Sequence, residues 1–194
     1  MPMPTVIAAD LADRPRCIAS LVSAFVVDPL IRWMLPDPQQ YLTYFPQVLR
    51  YFAGGAFDHG SALRTDDYMS SAMWLPPGVT PDDEALGAVM QEGIDEHLQG
   101  EVFGFMEQVG HGHPDVRHWY LPAIGVDPMR QGHGYGSALL TRALERCDRD
   151  HAVAYLEATN PRNIPLYQRF GFEIIGRLQA GSSPTIVTME RAAR

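Results

Sequence analysis

The stretch Val126-Asp127-Pro128-Met129-Arg130-Gln131-Gly132-His133-Gly134-Tyr135-Gly136-Ser137 sets three alternate glycines between a predicted strand, His118 to Val126, and a predicted helix, Gly134 to Asp150. Glycine lets the main chain turn tightly and approach a ligand closely. A helix start adds free N–H groups and a partial positive charge, a setting that suits a pyrophosphate. The chain of 194 residues contains no lysine, and all 15 basic residues are arginine. A lysine-dependent phosphate loop is therefore excluded, as is Schiff-base chemistry on a side chain. The loop has to hold an anion through backbone amides, with Arg130 as an outer charge.

Working outward, strand and helix alternate after residue 118. The helix buries Leu140, Ala143, Leu144 and Cys147, and a strand follows over Val153 to Thr159. A short helix over Asn163 to Phe170 stops at Gly171, and strands over Phe172 to Arg177 and Thr185 to Glu190 close the chain. Upstream, Thr5 to Ala8 reads as a strand, and Asp13 as the cap of a helix carrying Ile18, Leu21, Val22 and Phe25 on one stripe. Asp28-Pro29 ends that helix. Asp37-Pro38 opens a second one with Tyr41, Phe45, Leu49 and Phe52 in line, and Gly54-Gly55 breaks it. Ser61 to Arg64 and Met69 to Leu75 form a predicted hairpin. Thr80 is the predicted cap of an acidic-start helix, and glycines at 87, 93, 100, 104 and 110 predict short helices up to His113. With no repeat, low-complexity tract or linker, residues 1–194 read as one domain.

Hydrophobic residues make up 46% and charged residues 20%, a soluble globular balance. The net charge of −8 disfavours nucleic acid, which needs a basic surface. Residues 1–117 hold 6 Arg against 16 Asp and Glu, a balance of −10, whereas residues 118–194 hold 9 Arg against 7, a balance of +2. Cys17 and Cys147 sit at helical spacing among apolar residues and read as buried thiols. No signal peptide or membrane span is visible, so a cytoplasmic protein without a membrane partner is expected.

Two cofactor classes compete for the glycine loop. A dinucleotide fold wants G-x-G-x-x-G directly after its strand and an acid about 20 residues on, and Glu157 stands at a tempting distance. Against it, Ser137 replaces the third glycine, Asp127 to Gln131 separate the strand from Gly132, and only 37 residues follow Glu157. Coenzyme A is the other class. Gln131 to Gly136 resembles motif A of the GNAT N-acetyltransferase superfamily, R/Q-x-x-G-x-G/A. Asn160-Pro161-Arg162-Asn163-Ile164-Pro165-Leu166-Tyr167-Gln168-Arg169-Phe170-Gly171-Phe172 is similar to its downstream N-x-x-x-x-x-L-Y-x-x-x-G-F block. Glu157 to Asn163, with His118-Trp119-Tyr120-Leu121, resembles the branch that includes puromycin N-acetyltransferase.

The resemblance implies an α/β (α+β) single-domain GNAT fold. Its mixed central sheet of about six to seven strands is flanked by helices, and a splayed pair of parallel strands holds the CoA arm. Residues 118–194 would be the acetyl-CoA-binding core and residues 1–117 the acceptor side. Main-chain groups at Ile124, Gly125 and Val126 would meet the pantetheine arm and polarise the thioester carbonyl. Amides from Arg130, Gln131, Gly132, His133, Gly134, Tyr135, Gly136 and Ser137 would hold the pyrophosphate, and Asn160 and Asn163 would contact the arm or order the loop. Tyr167 matches the family tyrosine near the sulfur, a general acid. The expected reaction is acetyl transfer from acetyl-CoA to a primary amine of a small molecule, with no metal. Alternatives are a peptide or protein N-terminal acetyltransferase and a non-catalytic acyl-CoA-binding module. Homodimers are common in this superfamily.

Glu157 is the first choice for the base, on the strand face of Tyr155; His118 and Tyr120 are alternatives, and are also candidates for contact with the acceptor substrate. The plain structural reading of Glu157 is a strand-end carboxylate paired with Arg162. Asp28 is a candidate for contact with a cationic amine, with a turn or capping role as its alternative. The aromatic residues Trp33, Tyr41, Tyr44, Phe45 and Tyr51 read as core that partly lines the acceptor pocket. His111 and His113 read as a solvated loop. The acidic half is expected to face and steer the amine.

Overall fold

A computed structural model describes residues 4–194. Seven strands form one sheet: β1 (Val6–Ala8), β2 (Ala62–Thr65), β3 (Ser70–Leu75), β4 (His118–Val126), β5 (Val153–Ala158), β6 (Glu173–Leu178) and β7 (Ile186–Arg191), in the order β1-β2-β3-β4-β5-β7-β6. Among the described residues only β4 and β5 pair in parallel. The helices are α1 (Arg14–Ala24), α2 (Pro29–Met34), α3 (Pro38–Ala53), α4 (Gly55–Asp58), α5 (Asp83–Gly93), α6 (Glu96–His111), α7 (Tyr135–Arg149) and α8 (Ile164–Arg169). This is the mixed GNAT-type sheet expected. No helix among the described residues is long and apolar enough to cross a membrane.

Each face of the sheet carries a core. One joins Leu21, Tyr41, Phe45, Leu49, Met90 and Phe105 to Tyr120, Ala123 and Tyr155. The other sets Leu139, Leu140 and Leu144 against Trp119, Leu121, Leu156 and Met189. Strand alternation explains this division, because successive side chains point to opposite faces. Both cysteines are free and buried.

The alternation shifts once. Met73 faces Ala123 but Leu75 faces Tyr120, so Trp74 opposes two residues, Leu121 and Pro122. This β-bulge re-aims the strand and turns Pro122 and Ala123 to the same face as Tyr120. Beyond it, Gly125 lies under α1. A Cβ there would stand 2.6 Å from Ala24 Cβ and 2.9 Å from Leu21 Cδ2, so this glycine permits close helix–sheet packing.

Several local expectations are corrected. The Asp13 side chain does not cap α1; it pairs with Arg64 at 3.0 Å and accepts from the Tyr68 hydroxyl. Asp82, not Thr80, caps α5, accepting from Ala85 N at 3.1 Å. Asp28-Pro29 does more than end α1, because it opens the short helix α2. Helix α6 runs for 16 residues through Gly100, Gly104 and Gly110. Burial of Val102, Phe105 and Val109 along one side offsets the weak helix propensity of those glycines.

Candidate active site

The parallel pairing of β4 with β5 runs from His118/Val153 to Tyr120/Tyr155 and stops there. Past that point β4 stays on β3 as far as Val126/Ser70, while β5 stays on β7 as far as Ala158/Val187. The two strands therefore diverge. Asp127 N donates to Met69 O at 2.8 Å, which marks a hydrogen-bonded pair. Antiparallel pairs alternate, so Gly125 is the next residue bonded to β3. Ile124 and Val126 then direct their N–H and C=O groups away from β3, into the gap. Gln131 Nε2 donates to the Val126 carbonyl at 3.2 Å.

That gap opens on a large cleft lined by Ile124, Gly125, Val126, Arg130, Gln131, Gly132, Gly134, Tyr135, Gly136 and Ser137. Asp28, Asn160, Asn163 and Tyr167 also line it. Gly132 and Gly134 have φ of +76° and +86°, a left-handed conformation that glycine adopts without strain. Gly134 is the N-cap of the 15-residue helix α7 and offers no side-chain cap, so the amides of its first turn face outward unpaired. An added Cβ at Gly136 would stand 3.3 Å from Leu166 Cδ2, so this glycine serves the approach of α8. Free amides, a helix N-terminus and the guanidinium groups of Arg130, Arg162 and Arg169 fit a long anionic ligand such as coenzyme A. His133 departs from expectation. It is exposed, bonds its ring back to the Gln131 carbonyl at 2.8 Å, and does not line the cleft. Tyr135 lines it, and its hydroxyl donates to Asp67 Oδ2 at 2.7 Å, anchoring the loop to the β2–β3 turn.

A second, narrower pocket borders the first at Phe25 and at the β4 main chain between Ala123 and Ile124. Its walls are apolar and come from α2, α3, α5, α6 and β4, among them Ile31, Phe45, Phe52, Met90, Phe105 and Pro122. Its polar lining is Tyr120, Glu157 and Thr159. The acidic excess of residues 1–117 is not in this pocket; its one carboxylate, Glu157, belongs to the other half.

Glu157 points to the face shared by Tyr155 and Tyr120, and its side chain is 7% exposed. Burial raises its pKa to about 7. The hydroxyls of Tyr120 and Tyr155 oppose that rise, yet neither closes a hydrogen bond on Glu157 Oε1, and Tyr155 Oη is itself unpartnered. Glu157 has no arginine partner, since Arg162 lies in the coenzyme cleft. Tyr120 is buried, with its ring against Phe52 and Tyr155. Tyr167 is 5% exposed, and burial, then the charge of Asp28, raise its pKa, so its hydroxyl keeps its proton at neutral pH.

Asp28 is an anchor. Its Oδ1 accepts from Leu30 N at 3.0 Å and Ile31 N at 3.2 Å, capping α2, and its Oδ2 accepts from Thr159 Oγ1 at 2.7 Å. With both oxygens engaged it is not a free anion for a substrate amine, and the capping alternative describes it. His118 does not reach the carboxylate. His113, expected in a solvated loop, packs its ring on Tyr120 and Tyr155 and brings Nε2 to 3.5 Å from Glu157 Oε1. Sequence reasoning missed His113 and the cleft arginines Arg162 and Arg169. The basic balance of residues 118–194 was the one signal for the arginines. No group of three or more metal-ligating side chains occurs among the described residues.

The sequence model of the Acetyltransferase (GNAT) family matches residues 56–172, and the chain belongs to that family. It is an acyltransferase by that membership. An uncharacterized N-acetyltransferase of Schizosaccharomyces pombe is 27% identical over 176 residues, covering 82% of this chain and 70% of that protein. A mycothiol acetyltransferase of Brachybacterium faecium is 36% identical over 86 residues, covering 43% of this chain but 25% of its own length. Among solved structures, one from Corynebacterium glutamicum, described as histone acetyltransferase HPA2 and related acetyltransferase, superposes with a TM-score of 0.72. It is 25% identical, covering 100% of this chain and 98% of that one.

Proposed function

We propose that the protein transfers the acetyl group of acetyl-CoA to the primary amine of a small molecule with an apolar body, by direct attack in a ternary complex. The observation that carries this reading is Glu157, a buried carboxylate whose Oε1 has no hydrogen-bond partner, in a mostly apolar pocket that abuts the anion cleft at the strand divergence. The amides of the α7 N-terminus and the three cleft arginines bind the phosphates. The Ile124 and Val126 main chain aligns the pantetheine arm, and a backbone N–H there stabilises negative charge on the carbonyl oxygen. Glu157 takes a proton from the amine, directly or through water. A carboxylate titrating near 7 is matched to that task at neutral pH. Tyr167, protonated in the cleft, donates to the departing thiolate.

The pocket selects the acceptor. Its aromatic and aliphatic walls favour an arylalkyl or alkyl amine and penalise a second charge, because burying an unpaired ammonium among apolar groups is costly. The test is thiol release from acetyl-CoA with 2-phenylethylamine, hexylamine, spermidine and a short peptide. Turnover confined to the two apolar amines is expected. Preference for the peptide supports N-terminal acetylation instead. Calorimetric CoA binding with no turnover on any amine points to a binding module.

A further inference from the structure

A buried base has to return its proton to water. Glu157 Oε1 is shielded from solvent without a hydrogen-bond partner, and it has an imidazole beside it. His113, just after α6, lies over β4 and β5 and is faced by Tyr120 and His118 of β4 and by Tyr155 and Glu157 of β5. Its Nε2 stands 3.5 Å from Glu157 Oε1, and its Nδ1 stands 3.1 Å from His118 Nε2. His118 Nδ1 in turn lies 2.8 Å from the Val116 carbonyl, at the half-exposed start of β4.

The chemistry of each atom sets the direction of this chain. A carbonyl oxygen only accepts, so neutral His118 carries its proton on Nδ1 and offers Nε2 as a lone pair. His113 then donates from Nδ1 to that lone pair. Its own Nε2 is left unprotonated, facing the Glu157 carboxyl. Burial holds the His113 pKa near 4, so at neutral pH the contact is not an ion pair but a lone pair waiting for a donor. The 3.5 Å gap is longer than a hydrogen bond, as catalytic contacts commonly are without substrate.

We propose that His113 and His118 form a proton relay that carries the amine proton from Glu157 to solvent. This rests on Glu157 acting as the base. When Glu157 has taken the amine proton, its O–H bond breaks as an N–H bond forms at His113 Nε2. The Nδ1–H bond of His113 breaks as an N–H bond forms at His118 Nε2. The carboxylate is restored and His113 is neutral in its other tautomer. His118 is an imidazolium that still donates from Nδ1 to Val116, and it releases its extra proton to bulk water.

Two measurements on the whole protein test the relay. The first follows all histidines by NMR on protein labelled with 15N-histidine. In wild type at pH 8, His113 and His118 are expected as Nδ1–H tautomers, and Glu157→Gln is expected to change the 15N shifts of His118 at that pH, though it does not touch His118. His118 15N shifts left unmoved by Glu157→Gln overturn the relay whether or not any amine is turned over. The second uses 2-phenylethylamine and acetyl-CoA. His118→Ala is expected to lower kcat about tenfold with the acetyl-CoA KM unchanged, and added imidazole is expected to restore part of the rate. A kcat that does not fall, or a loss that imidazole leaves unmoved, shows a packing role only. Absence of wild-type turnover overturns the functional reading instead, and the NMR result stands apart from it.

Discussion

Tyr120 and Tyr155 are the last residues at which β4 and β5 pair, and their rings lie 6.0 Å apart on the face that also carries Glu157. That pair closes the sheet on one side and opens it on the other. The residues given roles in the proposed reaction lie past it: Ile124 and Val126 with free main-chain edges on β4, Glu157 two residues on along β5, and Tyr167 across the cleft. The bulge at Leu121–Pro122 contributes, since a proline has no N–H to donate and fits where ladder pairing ends.

Tyr167→Phe keeps the ring that packs against Phe172 and removes the hydroxyl. Turnover is expected to fall about 10²-fold or more, the ordinary range for a lost general acid. Calorimetry is expected to show CoA binding within about threefold of wild type, on the order of RT in binding free energy. Unchanged turnover removes Tyr167 from the mechanism.

Stability should report the buried carboxylate without any substrate. The folded pKa of Glu157 is about 7 against an ordinary 4.5, so the folded state binds more protons than the unfolded state between those values. Its contribution is therefore complete below about 4.5 and is lost as pH rises through 7. His113 runs the other way. Held near 4 against 6.5, it favours folding above 6.5, and that contribution is lost as pH falls through 4. The two partly cancel in wild type. Glu157→Gln unmasks the carboxylate: relative to wild type, the variant is expected to gain about 3 kcal/mol in denaturant unfolding between pH 4.5 and pH 8. A difference that stays flat across that range contradicts the buried-acid reading.

Gly125→Ala places a Cβ 2.6 Å from Ala24 Cβ, which has no rotamer by which to yield, and 2.9 Å from Leu21 Cδ2. Overpacking of this kind costs about 1–3 kcal/mol, so Tm is expected to drop by several degrees. A Tm equal to wild type would show that α1 does not press on β4 as described.

Gly134→Ala acts on the loop instead. A side chain at φ +86° is strained by about 1–2 kcal/mol and tilts the first turn of α7 away from its ligand. Weaker CoA binding in calorimetry, together with a Tm lower by about 2–8 °C, is the expected pattern. Unaltered CoA affinity would detach the glycine loop from phosphate binding.

The core of the fold was legible where the signal is local. β4 keeps its predicted ends, and α7 begins and stops within a residue of them, because the glycines before it and the apolar spacing within it are read from neighbours in sequence. The orientation of Glu157 followed from strand alternation alone. His113 was not legible, since nothing in His111 to His118 says that the chain folds back over Tyr120 and Tyr155. The arginine pairing offered as the alternative reading of Glu157 fails for a related reason. Arg162 follows it by five residues, but the chain turns at Asn160, which accepts from Arg162 N at 3.1 Å, and carries the guanidinium to the other cavity. The pocket walls come from four helices far apart in sequence, so its apolar character was invisible until they met.

The most direct test of the account is the pH dependence of kcat/KM for 2-phenylethylamine with acetyl-CoA in wild type and in Glu157→Gln. A carboxylate base with a pKa of about 7 predicts a wild-type rate that rises through pH 7 before levelling. The variant should run about 10²–10⁴-fold slower, with that rise abolished. A variant that retains both the rate and the inflection near 7 would contradict the assignment of Glu157 as the base.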